Sequence, residues 1–170
     1  GARINDVGQV AFFGELVNGD SVLYRSVYDD PATLELVMRS GDDIPNGPQN
    51  ATFNEGRYLR LNDAGNLAFW SKIDGVAGDF PTGIFRFRDD VLETVAMTGW
   101  QVPGAPNGID YEYMWGPAMN AHDSVAFQAG LRGDGVVYEN DGAIMAHGFG
   151  GLNLVVRLVF GAPNRPEVFG

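Results

Sequence analysis

The sequence predicts an all-β protein built from three copies of one unit of four antiparallel strands. Two observations support this prediction: a motif that recurs three times, and a composition that suits short strands joined by tight turns. The chain of 170 residues contains 24 glycines and 9 prolines, and 12% of its residues are aromatic. Four antiparallel strands per copy are typical of a β-propeller blade, so the predicted architecture is three blades side by side.

The recurring motif is a turn of the form Asn-x-x-Gly followed closely by Ala-Phe. Its starts are offset by about 57 and 58 residues, which gives repeats at approximately 4–60, 61–118 and 119–170. The positions that define the motif are Asn5, Gly8, Ala11 and Phe12 in the first copy, Asn62, Gly65, Ala68 and Phe69 in the second, and Asn120, Ala126 and Phe127 in the third. A motif that returns at a nearly constant offset predicts that the same backbone turn is formed three times.

A second marker recurs in the same phase, and the third copy departs from both markers. The Gly-x-x-x-Pro segment at 41–45 matches the one at 99–103, but Val159 falls at the glycine position in the third copy. Asp123 replaces the glycine of the third turn, and aspartate tolerates the left-handed conformation better than most residues do. Extra residues around 147–151 leave the strands of this copy without a prediction.

Hydrophobic alternation predicts four strands in each of the first two copies. The predicted strands are 9–16, 21–28, 34–39 and 57–61 in the first copy, and 66–73, 83–88, 91–97 and 111–119 in the second. The strand after each motif is apolar on both faces, which predicts an inner blade strand. Its small alanine, Ala11 in the first copy, would let neighbouring sheets approach closely.

Three blades are too few for a closed propeller, which usually has about four to eight. We therefore expect completion by a second copy that gives six blades, by a longer polypeptide of which this is a processed or excised piece, or by head-to-tail copies that form a ring or a filament. A β-trefoil also uses three four-stranded repeats and needs no partner, so it remains the alternative fold.

The motif resembles the tandem repeats of bacterial secreted and surface-anchored proteins. The resemblance rests on Asn5, Gly8, Ala11 and Phe12 and their counterparts, and it covers the whole chain in three copies. It implies an extracellular or cell-surface location and a propeller-like fold, and it supplies no catalytic residues. We therefore expect a non-catalytic structural or assembly protein rather than an enzyme, with a carbohydrate- or protein-binding module as the alternative.

Charge and composition narrow the expected partners. The chain has 22 acidic and 11 basic residues, for a net charge of −11, and it contains no cysteine. Nucleic acid is an unsuitable partner because phosphate binding needs clustered positive charge. No apolar run reaches the ~18 residues of a membrane-spanning helix, so we expect no membrane insertion. The expected partners are further copies of the chain, the rest of a longer polypeptide, a glycan or a protein.

Aromatic residues of the second repeat are the candidate binding residues. Trp100 follows a glycine in a loop and has no aromatic counterpart in the first copy, and Tyr111 and Tyr113 follow the same loop. Exposed tryptophan and tyrosine suit sugar stacking or protein docking. Trp70 and Trp115 are expected instead to fill space between sheets.

No cofactor is expected, and calcium is a weak candidate. Asp6 and Asp63 follow the asparagine of the first two turns and could offer carboxylate oxygens. Calcium needs about six to eight converging oxygens, however, and turn residues of this type commonly bond to their own backbone. His122 is expected to be a solvated turn residue without a metal role.

Overall fold

Short runs of apolar and β-branched residues between Gly- and Asn-containing turns form three antiparallel sheets. A computed structural model of the chain describes residues 1–27, 30–148 and 150–158. Sheet 1 contains β1 (Ala2–Ile4), β2 (Val10–Glu15), β3 (Ser21–Val27) and β4 (Asp30–Arg39), and sheet 2 contains β5 (Thr52–Leu61), β6 (Leu67–Asp74), β7 (Thr82–Arg88) and β8 (Val91–Met97). The prediction of an all-β protein with antiparallel four-stranded units is confirmed.

Sheet 3 begins with the strand predicted at 111–119, which is divided into two short strands, and continues with strands of the third copy that the sequence did not predict. It contains β9 (Asp110–Met114), β10 (Ala118–Met119), β11 (Val125–Arg132), β12 (Gly142–Gly148) and β13 (Gly151–Leu158). Strands β9 and β10 both pair with β11 and together occupy the place that one strand holds in the other sheets. A short 3₁₀ helix, Tyr138–Asn140, lies between β11 and β12. Val159, the expected counterpart of the marker glycine, lies outside the described residues.

Each motif turn joins two strands of the same sheet. The strand before the turn pairs with the strand after it, as Arg60 with Ala68 across β5 and β6. The predicted strand at 57–61 therefore opens the second sheet, and Ala11 lies on the second strand of its sheet. A turn of this length leaves no room for a crossover, so hairpin pairing follows.

The sheets pack face to face around two apolar cores. Phe69, Phe85 and Leu67 of sheet 2 pack with Ala11 and Leu23 of sheet 1. The opposite face of sheet 2 packs on sheet 3 in a second cluster, whose members include Ala68, Trp70, Ile84, Phe127 and Met145. Burying a side chain of this size stabilises a fold by roughly 1.5–3 kcal/mol, so both cores contribute strongly. Sheet 2 is consequently covered on both faces.

The sheets are separate hydrogen-bonded units. Among the described residues, no strand pairs with a strand of another sheet. Close approach between sheets depends on small residues. A Cβ on Gly56 would lie 2.1 Å from the ring of Phe13, so β5 can approach sheet 1 only with glycine there. No helix among the described residues has the length and apolar character needed to cross a membrane.

Candidate interaction surface

The three motif turns share one hydrogen-bond pattern. The asparagine Oδ1 of each turn accepts a bond from the backbone amide four residues further along, at 2.8, 3.0 and 3.0 Å for Asn5, Asn62 and Asn120. The asparagine carbonyl also accepts from the amide three residues further along, at 3.1, 3.0 and 3.3 Å. Asparagine suits this position because its side chain caps its own turn. The repeat inferred from sequence is therefore a repeat of backbone structure.

The fourth residue of each turn adopts the left-handed conformation. The φ angle is 84° at Gly8, 81° at Gly65 and 62° at Asp123. Asp123 therefore keeps the geometry of the turn although it replaces the glycine. Its carboxylate also has a structural role, because it accepts bonds from the side-chain amides of Asn62 at 2.6 Å and Asn66 at 2.9 Å. The replacement of glycine by aspartate in the third turn thus adds a contact between sheets 2 and 3.

The asparagine side chains also connect successive turns. Nδ2 of Asn5 donates to the carbonyl of Asn62 at 2.9 Å, and Nδ2 of Asn62 donates to the carbonyl of Asn120 at 3.3 Å. We call these three residues the asparagine ladder. Within the described part of the chain, Nδ2 of Asn120 donates no hydrogen bond and the carbonyl of Asn5 accepts only inside its own turn. The ladder therefore ends in an unused donor on sheet 3 and available acceptor capacity on sheet 1.

An arginine on the third strand of sheet 1 makes a second contact between sheets. Nη1 of Arg25 donates to the carbonyl of Gly65 at 2.9 Å, and Nη2 lies 2.6 Å from a carboxylate oxygen of Glu35. The guanidinium also lies 4.7 Å from the ring centroid of Phe87 in sheet 2. Charge-assisted bonds and cation–π contact together hold the motif turn of sheet 2 against sheet 1.

Sheet 2 repeats this contact toward sheet 3. Nη1 of Arg86 donates to the carbonyl of Asp123 at 2.8 Å, and its Nε lies 2.5 Å from Glu93. Arg86 is buried, so its charge needs these partners. Ala146 occupies the corresponding place in sheet 3. The matching rows across the three sheets are Arg3-Ala11-Arg25-Glu35, Arg60-Ala68-Arg86-Glu93 and Ala118-Ala126-Ala146-Asn153.

The outer face of sheet 1 is apolar, with three exposed side chains, Ile4, Leu34 and Leu36, and two half-buried rings, Phe12 and Tyr24. Its members, which we call the sheet 1 face, are Ile4, Phe12, Tyr24, Leu34 and Leu36. Ile4 is 71% exposed and Leu36 is 48% exposed. Phe69 and Phe127, which match Phe12 in the other copies, are buried against the preceding sheet. Such a contiguous apolar face on a protein surface marks an interaction site.

The predicted aromatic binding residues occupy three different environments. Tyr111 is only 1% exposed and lies in the core between sheets 2 and 3, so it cannot contact a docked partner directly. Burial raises the pKa of its phenol, whose oxygen has no hydrogen-bond partner among the described residues. Trp100 is half-buried and packs against both cores. Tyr113 lines a surface cavity, where it contacts Trp115.

The two calcium candidates lie next to each other. The backbone amide of Asp6 donates to Oδ1 of Asp63 at 3.0 Å, so the two turns touch through these residues. Among the described residues, no three His, Cys, Asp or Glu side chains converge as a metal site would require. The contact between these residues is a further bond between the motif turns.

The sequence did not single out His147. It lines a cavity of about 370 Å³ with Arg86, Arg88 and His122. Burial, followed by the charge of Arg86, lowers the pKa of His147. Its Nδ1 is buried without a partner in the described part of the chain, so protonation there would place a second charge near Arg86. No motif in the sequence contains this histidine, so the cavity could not be predicted before the sheets were placed.

These features define an all-β protein whose three antiparallel sheets pack face to face through contacts that recur in successive copies. The chain belongs to DUF7453, a family of unknown function whose model matches residues 1–169. No curated protein and no solved structure matches the chain.

Proposed function

We propose that the chain is a non-catalytic structural protein of the bacterial exterior, whose sheets act as propeller-like blades and associate head to tail with those of a second copy. The single observation that carries this proposal is the exposed sheet 1 face. In the other two sheets the matching face is buried by the sheet before it. A second copy would supply the sheet that this face lacks.

Sheet 3 of a neighbouring copy is the proposed occupant of the sheet 1 face. Its outer row begins with Ala118, Ala126 and Ala146, whose small side chains leave room for the rings of Phe12 and Tyr24. Nδ2 of the neighbour's Asn120 would then donate to the Asn5 carbonyl and continue the asparagine ladder. Such a heterologous contact generates a ring if the rotation closes, and a filament if it does not.

Two further observations support this arrangement. The three sheets share no paired strands among the described residues, which favours stacked blades over a β-trefoil, whose repeats would pair in a common barrel. The exterior location is supported by the resemblance of the repeats to those of bacterial surface proteins. Glycan binding is a separate proposal, and it rests on a cavity away from the sheet 1 face.

Sedimentation velocity over a concentration series tests the proposal, with Leu36→Lys as the disrupting variant. The net charge of −11 opposes association, so the series should include 0.5 M NaCl to screen repulsion. We expect the sedimentation coefficient of the wild type to rise with concentration. That of Leu36→Lys should stay at the value of a monomer. Val17→Lys, at an exposed residue between β2 and β3, is the matched control and should behave as wild type. A wild-type protein that stays monomeric throughout would contradict head-to-tail association.

A further inference from the structure

A cavity lined by aromatic rings opens where sheets 2 and 3 meet. It encloses about 350 Å³, within the range of small-molecule sites. We call it the aromatic pocket, and its rings are those of Tyr58, Trp70, Phe80, Tyr113 and Trp115. The sequence separates these residues by up to 57 positions, and only Tyr113 was a sequence-based candidate.

Trp70 is the fixed centre of the aromatic pocket. Its indole Nε1 donates to the carbonyl of Met114 at 2.7 Å, which ties β6 to the end of β9. The ring of Tyr58 stands edge-on to Trp70 at 5.8 Å, and the ring of Phe80 stacks on it at 6.1 Å. Both distances suit favourable aromatic pairs. The rings are therefore positioned before any ligand arrives.

Tyr58 holds its place at the cost of backbone strain. Its φ angle is 55°, in the left-handed region that a bulky residue rarely adopts. Gly116 leaves room for it, since a Cβ there would lie 2.3 Å from the Cβ of Tyr58. Strain of this kind persists where the surrounding structure enforces it, and it concentrates at ligand sites.

Three rings of the aromatic pocket remain exposed to solvent. Tyr58 and Phe80 are 51% exposed and Trp115 is 44% exposed. Aromatic rings are the side chains that gain most from being covered, so three exposed neighbours indicate a surface kept open for a ligand.

Polar groups surround the rings. Phe80 and Tyr113 also line an adjoining cavity with Asp79, Glu112 and Arg132. Burial, with smaller effects from nearby acidic groups, raises the pKa of Tyr113, so its hydroxyl stays protonated and can donate as well as accept a hydrogen bond. The rim thus offers donors and acceptors beside the apolar ring faces.

Two cations at the aromatic pocket argue against a cationic ligand. The ammonium of Lys72 lies 4.9 Å from the centroid of Phe80 and occupies a cation–π position there. Arg57 lines the cavity and pairs with Glu55. The pairing with Glu55 offsets the charge of Arg57, but Lys72 would repel a quaternary ammonium group at the face of Phe80. An uncharged ligand with one apolar face and a polar edge fits better.

We propose that the aromatic pocket binds a pyranose ring of a glycan. The C–H face of a pyranose carries slight positive charge and complements the negative face of an aromatic ring. The hydroxyl groups at its edge need donors and acceptors, which Glu112, Arg132 and Tyr113 supply. This inference is independent of the head-to-tail assembly, because the aromatic pocket lies within one chain and away from the sheet 1 face.

Glycan-array binding of the wild type, followed by titration of tryptophan fluorescence with the best-bound soluble oligosaccharide, tests this proposal. Detection should use an affinity tag, because amine labelling would modify Lys72, the only lysine of the chain. We expect wild-type binding to pyranosides and a loss of about tenfold or more in affinity for both Trp115→Ala and Phe80→Ala. Tyr24→Ala removes an aromatic ring from the sheet 1 face and should bind the oligosaccharide as wild type does.

Three results would overturn the proposal. The first is a wild-type protein that binds no pyranoside on the array. The second is unchanged affinity in both pocket variants, with their fold verified by near-ultraviolet circular dichroism. The third is a fluorescence response to choline at lower concentration than to the oligosaccharide, which would identify an ammonium site instead.

Discussion

One asparagine in each repeat both closes its own turn and connects that turn to the next sheet. Oδ1 of Asn62 accepts a hydrogen bond from a backbone amide of its own turn. Its Nδ2 donates to the carbonyl of Asn120 and to the carboxylate of Asp123. Asn120 makes only the hydrogen bonds of its own turn, because its Nδ2 has no acceptor within the described residues. Comparing the two positions separates turn closure from contact between sheets.

Asn62→Ala should therefore destabilise the protein more than Asn120→Ala. The first variant loses a buried turn bond and two bonds between sheets, and we expect a cost of about 2–3 kcal/mol. The second loses exposed turn bonds only, with an expected cost of about 1 kcal/mol. Urea unfolding at low protein concentration measures both values. Equal losses would show that the bonds between turns contribute nothing to stability.

His147 should make stability depend on pH. Its pKa in the folded protein lies below the ordinary value of 6.5, so the folded state favours the neutral ring. The contribution of neutral His147 to the free energy of unfolding is therefore complete above pH 6.5. It is lost as the pH falls from there through the pKa of the folded protein. We expect His147→Gln to lose less stability than wild type between pH 7 and 5, as measured by urea midpoints. If the urea midpoints of wild type and His147→Gln changed in parallel with pH, His147 would not be a source of the pH dependence.

At the residue scale, the sequence predicted what depends on local turn chemistry. That the same turn forms three times followed from the motif alone. The burial of Tyr111 and the pocket position of Tyr58 did not, because both depend on which strands of different sheets face each other. Alternation along one strand identifies two faces, and it does not identify what covers them.

At the scale of elements, the third sheet differs from the other two in one row. Arg25 and Arg86 each bind the motif turn of the following sheet, whereas Ala146 stands at this place in sheet 3. Asn153 likewise replaces the glutamate that pairs with the arginine. A junction formed by sheet 3 therefore lacks the contact that strengthens the two internal junctions.

Restoring that contact should strengthen association. In the double variant Ala146→Arg with Asn153→Glu, the new guanidinium can reach the Gly8 carbonyl of a second copy, as Arg25 reaches that of Gly65. We expect a several-fold lower dissociation constant by sedimentation equilibrium. Asn153→Glu alone, which adds only the carboxylate, is the control and should not strengthen association. Unchanged or weaker association of the double variant would contradict the proposed junction.

Strand positions in the first two copies were largely predictable, and strand partners were not. The hydrophobic pattern placed β7 and β8 to within one residue of their observed bounds. It missed β1, which has three residues and is too short to show a period. It also assigned the strand before each motif to the preceding copy, because periodicity marks a strand without showing its neighbours.

At the scale of the whole molecule, the repeat leaves two unlike ends. Sheet 2 is covered on both faces, while sheet 1 presents an exposed apolar face and sheet 3 carries Asn120, whose Nδ2 has no acceptor among the residues that the structure describes. Under the proposed blade arrangement these ends need a partner, since three blades do not close a ring. The proposal that a second copy covers the sheet 1 face rests on these surfaces rather than on periodicity, and cross-linking tests it directly.

Disulfide cross-linking tests the head-to-tail account most directly, because the chain has no cysteine of its own. The Asp6 amide lies 3.0 Å from the Asp63 side chain, so Asp6→Cys with Asp63→Cys should form an intramolecular bond and serves as the positive control. Ala121 holds the matching position in the third turn. The account predicts that mild oxidation of Asp6→Cys with Ala121→Cys yields covalent oligomers on a non-reducing gel, a dimer if two copies close a ring and a ladder of larger species if the copies form a filament. Monomers alone, in a protein whose control pair cross-links, would contradict it.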